Sequence, residues 1–584
     1  MGATAEPDQH QPVAVAGHPP VPASAAVSPF ALPAETDLRF VLLVAAVLAT
    51  ALLLDHVAYS AVHDPAYQQA VSACRSRDAD PLAVAACLAP EDRLTAVWML
   101  FGLACVAGAG VVVYLWVLPS WWLRGNDIKP YGTTDPSLAE AIGEYSDAVG
   151  ISRPRLFLRQ SRVPSAVALA VRRRPALVLN LGLLLQFRLD PPSFRAVVLH
   201  ELAHIRNGDV GRTFVALALV VALGLVAGVP YLMALGVSLL GPPTPDHDPL
   251  YILGVVWRAV VMPLIVLVTL AAVLRARELF ADARCAAWQG DPSALARVLS
   301  RLKDGPTGSG WLAMHPAPAE RRAALEEPRR LFATHRTDAF AVGVIAAAIG
   351  PELSVLLGLL LAGSAVQSWR DVMAGLTVGG LVAGIVGLAM ARALLPELVE
   401  DGPRRASPAL TLPLGGGLIV GQTVALSGAL DISGLALLQP AELAFAVAFA
   451  AVLLVSLRVL LAWMAASIRA WLVVALGRPS AALPLGVCLG TWAIVLGVWF
   501  GVLLTAHDFG SLVLLADLRG TGGVQPGVWL LAVAPLVASV PAALGVALLA
   551  RACLRAARRA VPSRAHSGAW LQPDAPLALG RAGP

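Results

Sequence analysis

The chain is 584 residues long; 57% of these are hydrophobic and only 14% are charged. Soluble proteins carry about 25% charged residues, so the composition excludes a soluble enzyme, a disordered protein and an ordinary nucleic-acid binder. The apolar excess must face lipid. The formal net charge is +5, and all but Lys129 and Lys303 of the 43 basic residues are arginine.

Residues 1–36 are rich in Pro and Ala, lack apolar periodicity and read as a disordered tail. They lack the basic n-region of a signal peptide, and Met1-Gly2-Ala3-Thr4-Ala5-Glu6 has no Ser or Thr where myristoylation needs one. A two-span hairpin is expected over 37–123, from apolar runs at 38–62 and 95–119, the second followed by the interfacial pair Trp121-Trp122. Its connecting loop, 63–94, is expected outside the cell. It holds Cys74 and Cys87, a candidate disulfide that an oxidising exterior permits and that would contribute about 3 kcal/mol; two free thiols remain the alternative. The other cysteines (Cys105, Cys285, Cys488, Cys553) are scattered and suggest no metal site.

From 124 to 338 the chain turns polar, interrupted by a third and a fourth span at 213–240 and 249–273, a hairpin within 212–274. Arg155–Leu158 and Ala176–Leu181 read as strands, with Arg172-Arg173-Arg174 near their connection. After Asp190-Pro191-Pro192 a helical period begins, with Asp190 a candidate N-cap and proline tolerated in the first turn. This helix carries His200-Glu201-Leu202-Ala203-His204. Residues four apart share a helix face, so His200 and His204 can converge on one metal ion. Glu201 projects about 100° away and can reach a water without ligating. Only 11 residues of the chain are His, so chance would rarely produce the motif. A third ligand, Glu278, is expected from Arg275-Ala276-Arg277-Glu278-Leu279-Phe280-Ala281-Asp282, with Asp282 on the same face as the hydrogen-bond partner of a ligating histidine. The alternative for Glu278 is an ordinary pairing with Arg275 or Arg277.

These residues resemble the membrane-integrated gluzincin metallopeptidases, the HtpX-like and CAAX-prenyl-protease group, whose pattern joins HExxH to a distal Glu-x-x-x-Asp. Asn207-Gly208-Asp209 resembles the group as well, as does His315-Pro316-Ala317-Pro318-Ala319-Glu320-Arg321. The resemblance spans about 124–335 and implies an α+β zincin-type protease domain with one Zn2+ per chain. It implies ligands His200, His204 and Glu278, Glu201 as general base, and His315 and Arg321 steadying the substrate and the developing oxyanion. Where the group commonly has Asn-Ala-Phe on its substrate-side strand, this chain reads Ser165-Ala166-Val167. That puts a side-chain hydrogen bond from this position in doubt but leaves backbone pairing with an extended substrate.

Six further runs follow at 339–363, 372–396, 409–430, 441–465, 482–506 and 526–550, then a basic tail over 551–584. The fold class expected is therefore a polytopic α-helical membrane protein of about ten spans, with a six-span region over 339–550 outside the resemblance. Glycine pairs Gly375/Gly379, Gly380/Gly384 and Gly417/Gly421 are spaced for helix packing. Glu352 and Arg258 fall inside spans, where an ionisable group has either a function or a partner across the bundle. Arginine bias puts both polar stretches and both termini in the cytoplasm: Arg206, Arg212, Arg275, Arg277, Arg404, Arg405, Arg469, Arg478, Arg551, Arg555, Arg558 and Arg559 oppose only Arg370 and Arg519. The function expected is a membrane-embedded zinc endopeptidase acting at the cytoplasmic face on polypeptides, most simply membrane proteins in quality control, with no role for nucleic acid. The rival is a multi-span transporter, sensor or scaffold with a regulatory or inactive zinc domain. A purely structural zinc site would need no Glu201 and would be closed by four protein ligands.

Overall fold

The computed structural model describes residues 27–77, 81–118, 128–132, 136–171, 174–240, 249–302, 312–399 (363 and 365 excepted), 409–425, 440–476 and 480–518. Two long helices open it, α1 (Glu35–Arg77) and α2 (Pro81–Val112). A small α+β unit follows: β1 (Ile128–Pro130), α3 (Pro136–Ala148), β2 (Arg155–Arg159), β3 (Ala166–Val171), β4 (Arg174–Asn180), α4 (Leu181–Leu189) and α5 (Pro191–Asn207). Then come α6 (Asp209–Leu223), running through a π turn into α7 (Val229–Leu240), and α8 (Pro249–Gln289), a single helix of 41 residues. The short helices α9 (Ser293–Arg301) and α10 (Pro318–Glu326) complete the unit beside α5 and α8. The rest is helical: α11 (Arg336–Leu360), α12 (Arg370–Val382), α13 (Leu388–Val399), α14 (Thr411–Val424), α15 (Pro440–Leu476) and α16 (Ala482–Leu518).

Eight helices among the described residues are long and apolar enough to cross a membrane, including Glu35–Ser60, Asp209–Val237 and Ile252–Gln289. Of the ten runs expected, 409–430 appears as the 14-residue α14, and 526–550 lies outside the described residues. The tail expected over 1–36 needs correction at its end. Residues 27–34 are packed, with Val27, Ser28, Ala31 and Leu32 buried, because side chains from distant helices hold their backbone; residues 1–26 lie outside the described residues.

The sheet has the order β1-β2-β4-β3, with β2 and β4 parallel and both outer pairings antiparallel. The two strands expected are thus β2 and β4, but a third, β3, intervenes, and positions 172–173 separate β3 from β4 rather than β2 from β4. Leu181 starts α4 rather than ending the strand. Against the sheet lies α5, whose Phe194, Val198 and Leu202, four apart, are fully buried with Leu177 and Leu179 of β4. The opposite side of α5 is thereby left to the chemistry. Between α1 and α2, Cys74 and Cys87 are joined by a disulfide.

Both intramembrane charges have partners. Arg258 of α8 donates from Nε to the Val424 carbonyl (2.8 Å) and from Nη2 to that of Ala425 (3.3 Å), at the C-terminal end of α14, where a cation offsets the helix dipole. Glu352 of α11 meets His56 Nδ1 of α1 at 2.9 Å. An Arg258→Leu variant should lose about 2–3 kcal/mol, because it strands buried carbonyls. Thermal unfolding of the detergent-solubilised protein would register this as a lower Tm.

Candidate metal site

Helix α5 begins where its side-chain chemistry says it should. Asp190 accepts from Ser193 N–H (3.3 Å) and Ser193 Oγ (2.8 Å), with proline in the first turn. It stops at Gly208, whose φ of 72° is left-handed, a conformation that glycine adopts without strain. Within these limits His200 and His204 lie one turn apart, their ring centroids 4.8 Å from each other. Helix α8 brings in Glu278, and one nitrogen of each histidine and one Glu278 oxygen lie within 4.8 Å of one another, all three residues being buried.

The orientation of the rings identifies the donor atoms. His200 Nε2 is 3.5 Å from Glu278 Oε2, and His204 Nε2 is 3.5 Å from Glu278 Oε1. The other ring nitrogens are held by carboxylates: His200 Nδ1 is 2.9 Å from Asp282 Oδ1, and His204 Nδ1 is 3.0 Å from Asp209 Oδ2. His204 Nδ1 hydrogen-bonds Asp209 and His200 Nδ1 lies at ion-pair distance from Asp282, so both Nε2 atoms face the centre of the cluster, where the neutral ring offers a lone pair to a metal. Two neutral imidazoles and a carboxylate suit a borderline divalent cation and leave a fourth position for water. Burial alone would push the His200 imidazole down, but the Asp282 and Glu278 carboxylates outweigh it and hold it up at about 10, so a proton on the ring supplies the positive charge that a metal would otherwise bring. The pocket is thus built to favour a positive charge at its centre.

Glu201 projects to the side, half-buried, toward the sheet. Its Oε2 accepts the backbone N–H of Ala168 at 2.7 Å. Strand β3 is an outer strand whose Ser165 carbonyl bonds Asn180 N–H of β4, so Ala168 faces the opposite, unpaired edge. The carboxylate therefore sits on the strand edge along which an extended polypeptide could pair.

Arg321 of α10 reaches the cluster through Asp282, with Nε 2.6 Å from Oδ2 and Nη2 2.7 Å from Oδ1, and its Nη1 is 3.5 Å from Glu278. Asp282 is thereby fixed from both sides. His315 is not among the residues in contact with the cluster in the described structure. It lies exposed on the bend before α10 and makes no hydrogen bond or ion pair among the described residues. Arg275 ties this bend down by donating to the Ala313 carbonyl at 2.8 Å. Arg277 pairs with Glu278 Oε1 at 2.7 Å, so the ordinary ion pair and the three-residue cluster occur together.

Three contributors were missed in reading the sequence. Asp209 holds His204 from beyond the helix end, where the four-residue spacing no longer applies. Ala168 acts through its backbone. Arg284 donates to Asn207 Oδ1 at 2.6 Å and looks like any surface arginine in the sequence. Of these, only Asp209 had a signal, its place in Asn207-Gly208-Asp209.

Comparison with known proteins places this geometry in context. Residues 132–329 match Peptidase family M48. The chain is 31% identical over 170 residues to a protease HtpX homolog of Sulfurihydrogenibium sp. (strain YO3AOP1), covering 29% of this chain and 56% of that protein. It is 29% identical over 202 residues to one of Acidiphilium cryptum (strain JF-5), covering 34% and 67%, and 28% identical over 200 residues to one of Aquifex aeolicus (strain VF5), covering 32% and 64%. The chain thus spans little more than half the length of the first of these relatives. No solved structure matches it.

Proposed function

From a chain that is HtpX-like over its M48 segment, with apolar helices on either side, we infer a membrane-embedded zinc endopeptidase of the gluzincin type. The observation that carries the reading is the convergence of His200 Nε2 and His204 Nε2 on Glu278 while both Nδ1 atoms are held by carboxylates. A bound zinc would polarise the scissile carbonyl and lower the pKa of water. The residues of the chain supply the rest. Glu201 accepts the proton of the attacking water and delivers it to the leaving amine. The free edge of β3 aligns the substrate as an added strand. Asp282 and Asp209 keep the histidines in the ligating tautomer, and Arg321 fixes Asp282. His315, on its exposed bend, and Arg321, 3.5 Å from Glu278, would steady the substrate and the developing oxyanion.

The arginine bias of the loops supports a cytoplasmic site, and the surrounding spans support membrane proteins or membrane-associated peptides as substrates, as in quality control. The boundaries that fit this reading are a peptidase unit over 124–338 interrupted by the 212–274 hairpin, and a six-span region over 339–550. Protein purified in detergent should contain one zinc per chain and cleave an unfolded protein. Chelation should abolish cleavage and one equivalent of zinc should restore it. Cleavage that persists after the metal is removed would refute the reading.

A further inference from the structure

His204 is not supported by Asp209 alone. Asn207 Nδ2 donates to the same Asp209 Oδ2 at 3.3 Å, and Arg284 Nε donates to Asn207 Oδ1 at 2.6 Å. The Arg284 guanidinium lies over the ring of Phe30, 3.6 Å from its centroid. A second arm reaches the same turn from the same segment. Asp37 pairs with Arg212 at 2.6 Å; Arg212 donates to the Asn207 carbonyl at 2.6 Å and lies 3.9 Å from Asp209 Oδ1. Two chains of contacts therefore run from residues 30–37, at the entry to the first span, to the carboxylate that orients a ligating histidine.

The segment is itself clasped. Arg392 of α13, buried in the six-span region, donates to the carbonyls of Pro29 (3.2 Å), Leu32 (3.4 Å) and Pro33 (2.8 Å), and to that of Leu331 (2.9 Å). Its guanidinium also lies 5.2 Å from the ring centroid of Phe280, which sits between Glu278 and Asp282 on α8. Phe30 packs edge-on against that same ring, at 5.8 Å.

We propose that residues 27–37 form a positioning segment for the metal site, in which Phe30 and Asp37 hold the Asn207–Asp209 turn against His204 and Arg392 locks the segment in place. Residues 27–37 and Arg392 lie outside the stretch matching Peptidase family M48, so this support comes from beyond that stretch. It gives the helices after residue 339 a task, which is to hold the segment that steadies the ligand. The inference rests on the reading of His204 as a metal ligand.

Phe30→Leu tests it, since leucine stays apolar but loses the aromatic face under Arg284 and the edge-on contact with Phe280. In full-length protein, zinc affinity measured by competition with a chromogenic chelator should fall about tenfold, and proteolysis should recover at saturating zinc. Phe30→Trp should stay within about twofold of wild type. Arg392→Ala should weaken zinc in the same direction. His204→Ala separates the two levels of the argument. If it loses zinc while Phe30→Leu, folded by thermal unfolding, binds as tightly as wild type, the positioning segment is refuted. If His204→Ala itself retains zinc, the reading of the site fails and takes this inference with it.

Discussion

Glu201→Gln is expected to lower kcat/KM on an unfolded protein by about a thousandfold, within the range that general acid–base catalysis supplies, while zinc content stays at the wild-type level. Glutamine keeps the shape of the side chain, and its carbonyl oxygen can still accept the Ala168 N–H that Glu201 Oε2 accepts at 2.7 Å. What it cannot do is take a proton. Because Glu201 belongs neither to the three-ligand cluster nor to the carboxylates behind the histidines, the substitution leaves the metal's donors intact. Zinc analysis and steady-state kinetics on the same preparation check both halves. Unchanged cleavage would remove the peptidase reading, and loss of zinc together with cleavage would mean that Glu201 holds the site together rather than moving protons.

Gly379→Leu should be the most damaging single change in the membrane region, costing about 3 kcal/mol or more as overpacking. A Cβ at Gly379 collides with the backbone of Gly497 on α16, and one at Gly375 collides with Gly497 and Gly501. Helices α12 and α16 thus touch backbone to backbone, the close approach that small residues allow in lipid. Gly417 and Gly421 of α14 make the same approach to Phe340 and Val344 of α11. Gly380 and Gly384, spaced identically in sequence, have open space where a Cβ would stand, so Gly380→Ala should leave Tm close to wild type. Thermal unfolding in detergent compares the two variants directly. Equal effects would mean that the interface does not depend on backbone contact.

That comparison also marks what a sequence can tell about this fold. Glycine spacing announces that a helix can pack closely but not which face does so, because the partner helix is 77 residues away in one case and 118 in the other. The metal cluster was more legible. His200, His204 and the Glu278–Asp282 pair follow from helical spacing, since residues three and four apart on one helix must share a face. The span positions were legible because lipid demands long apolar runs. Illegible were the features in which a chain break or a backbone atom does the work. Asp209 reaches His204 only because Gly208 turns the chain, and β3 is an apolar run without the alternation that marks an exposed strand. Residues 27–34 have the composition of a tail and are ordered by an arginine some 360 positions downstream. No local pattern carries such a tie.

Helix α8 has one more consequence. A single helix of 41 residues, with Pro263 in its interior, carries Arg258, buried within the bilayer region, and Glu278. From Arg258 to Arg275 it bears no charge, and Glu278 follows one turn later, about 5 Å further along the axis. The helix is therefore a ruler. It sets the height of Glu278 above the lipid by residue count, across the one interior proline, Pro263. A polypeptide leaving the same leaflet in extended form, at about 3.4 Å per residue, comes level with the ligands within its first few residues. Distance from the membrane, rather than side-chain identity, would then decide where such a chain is cut.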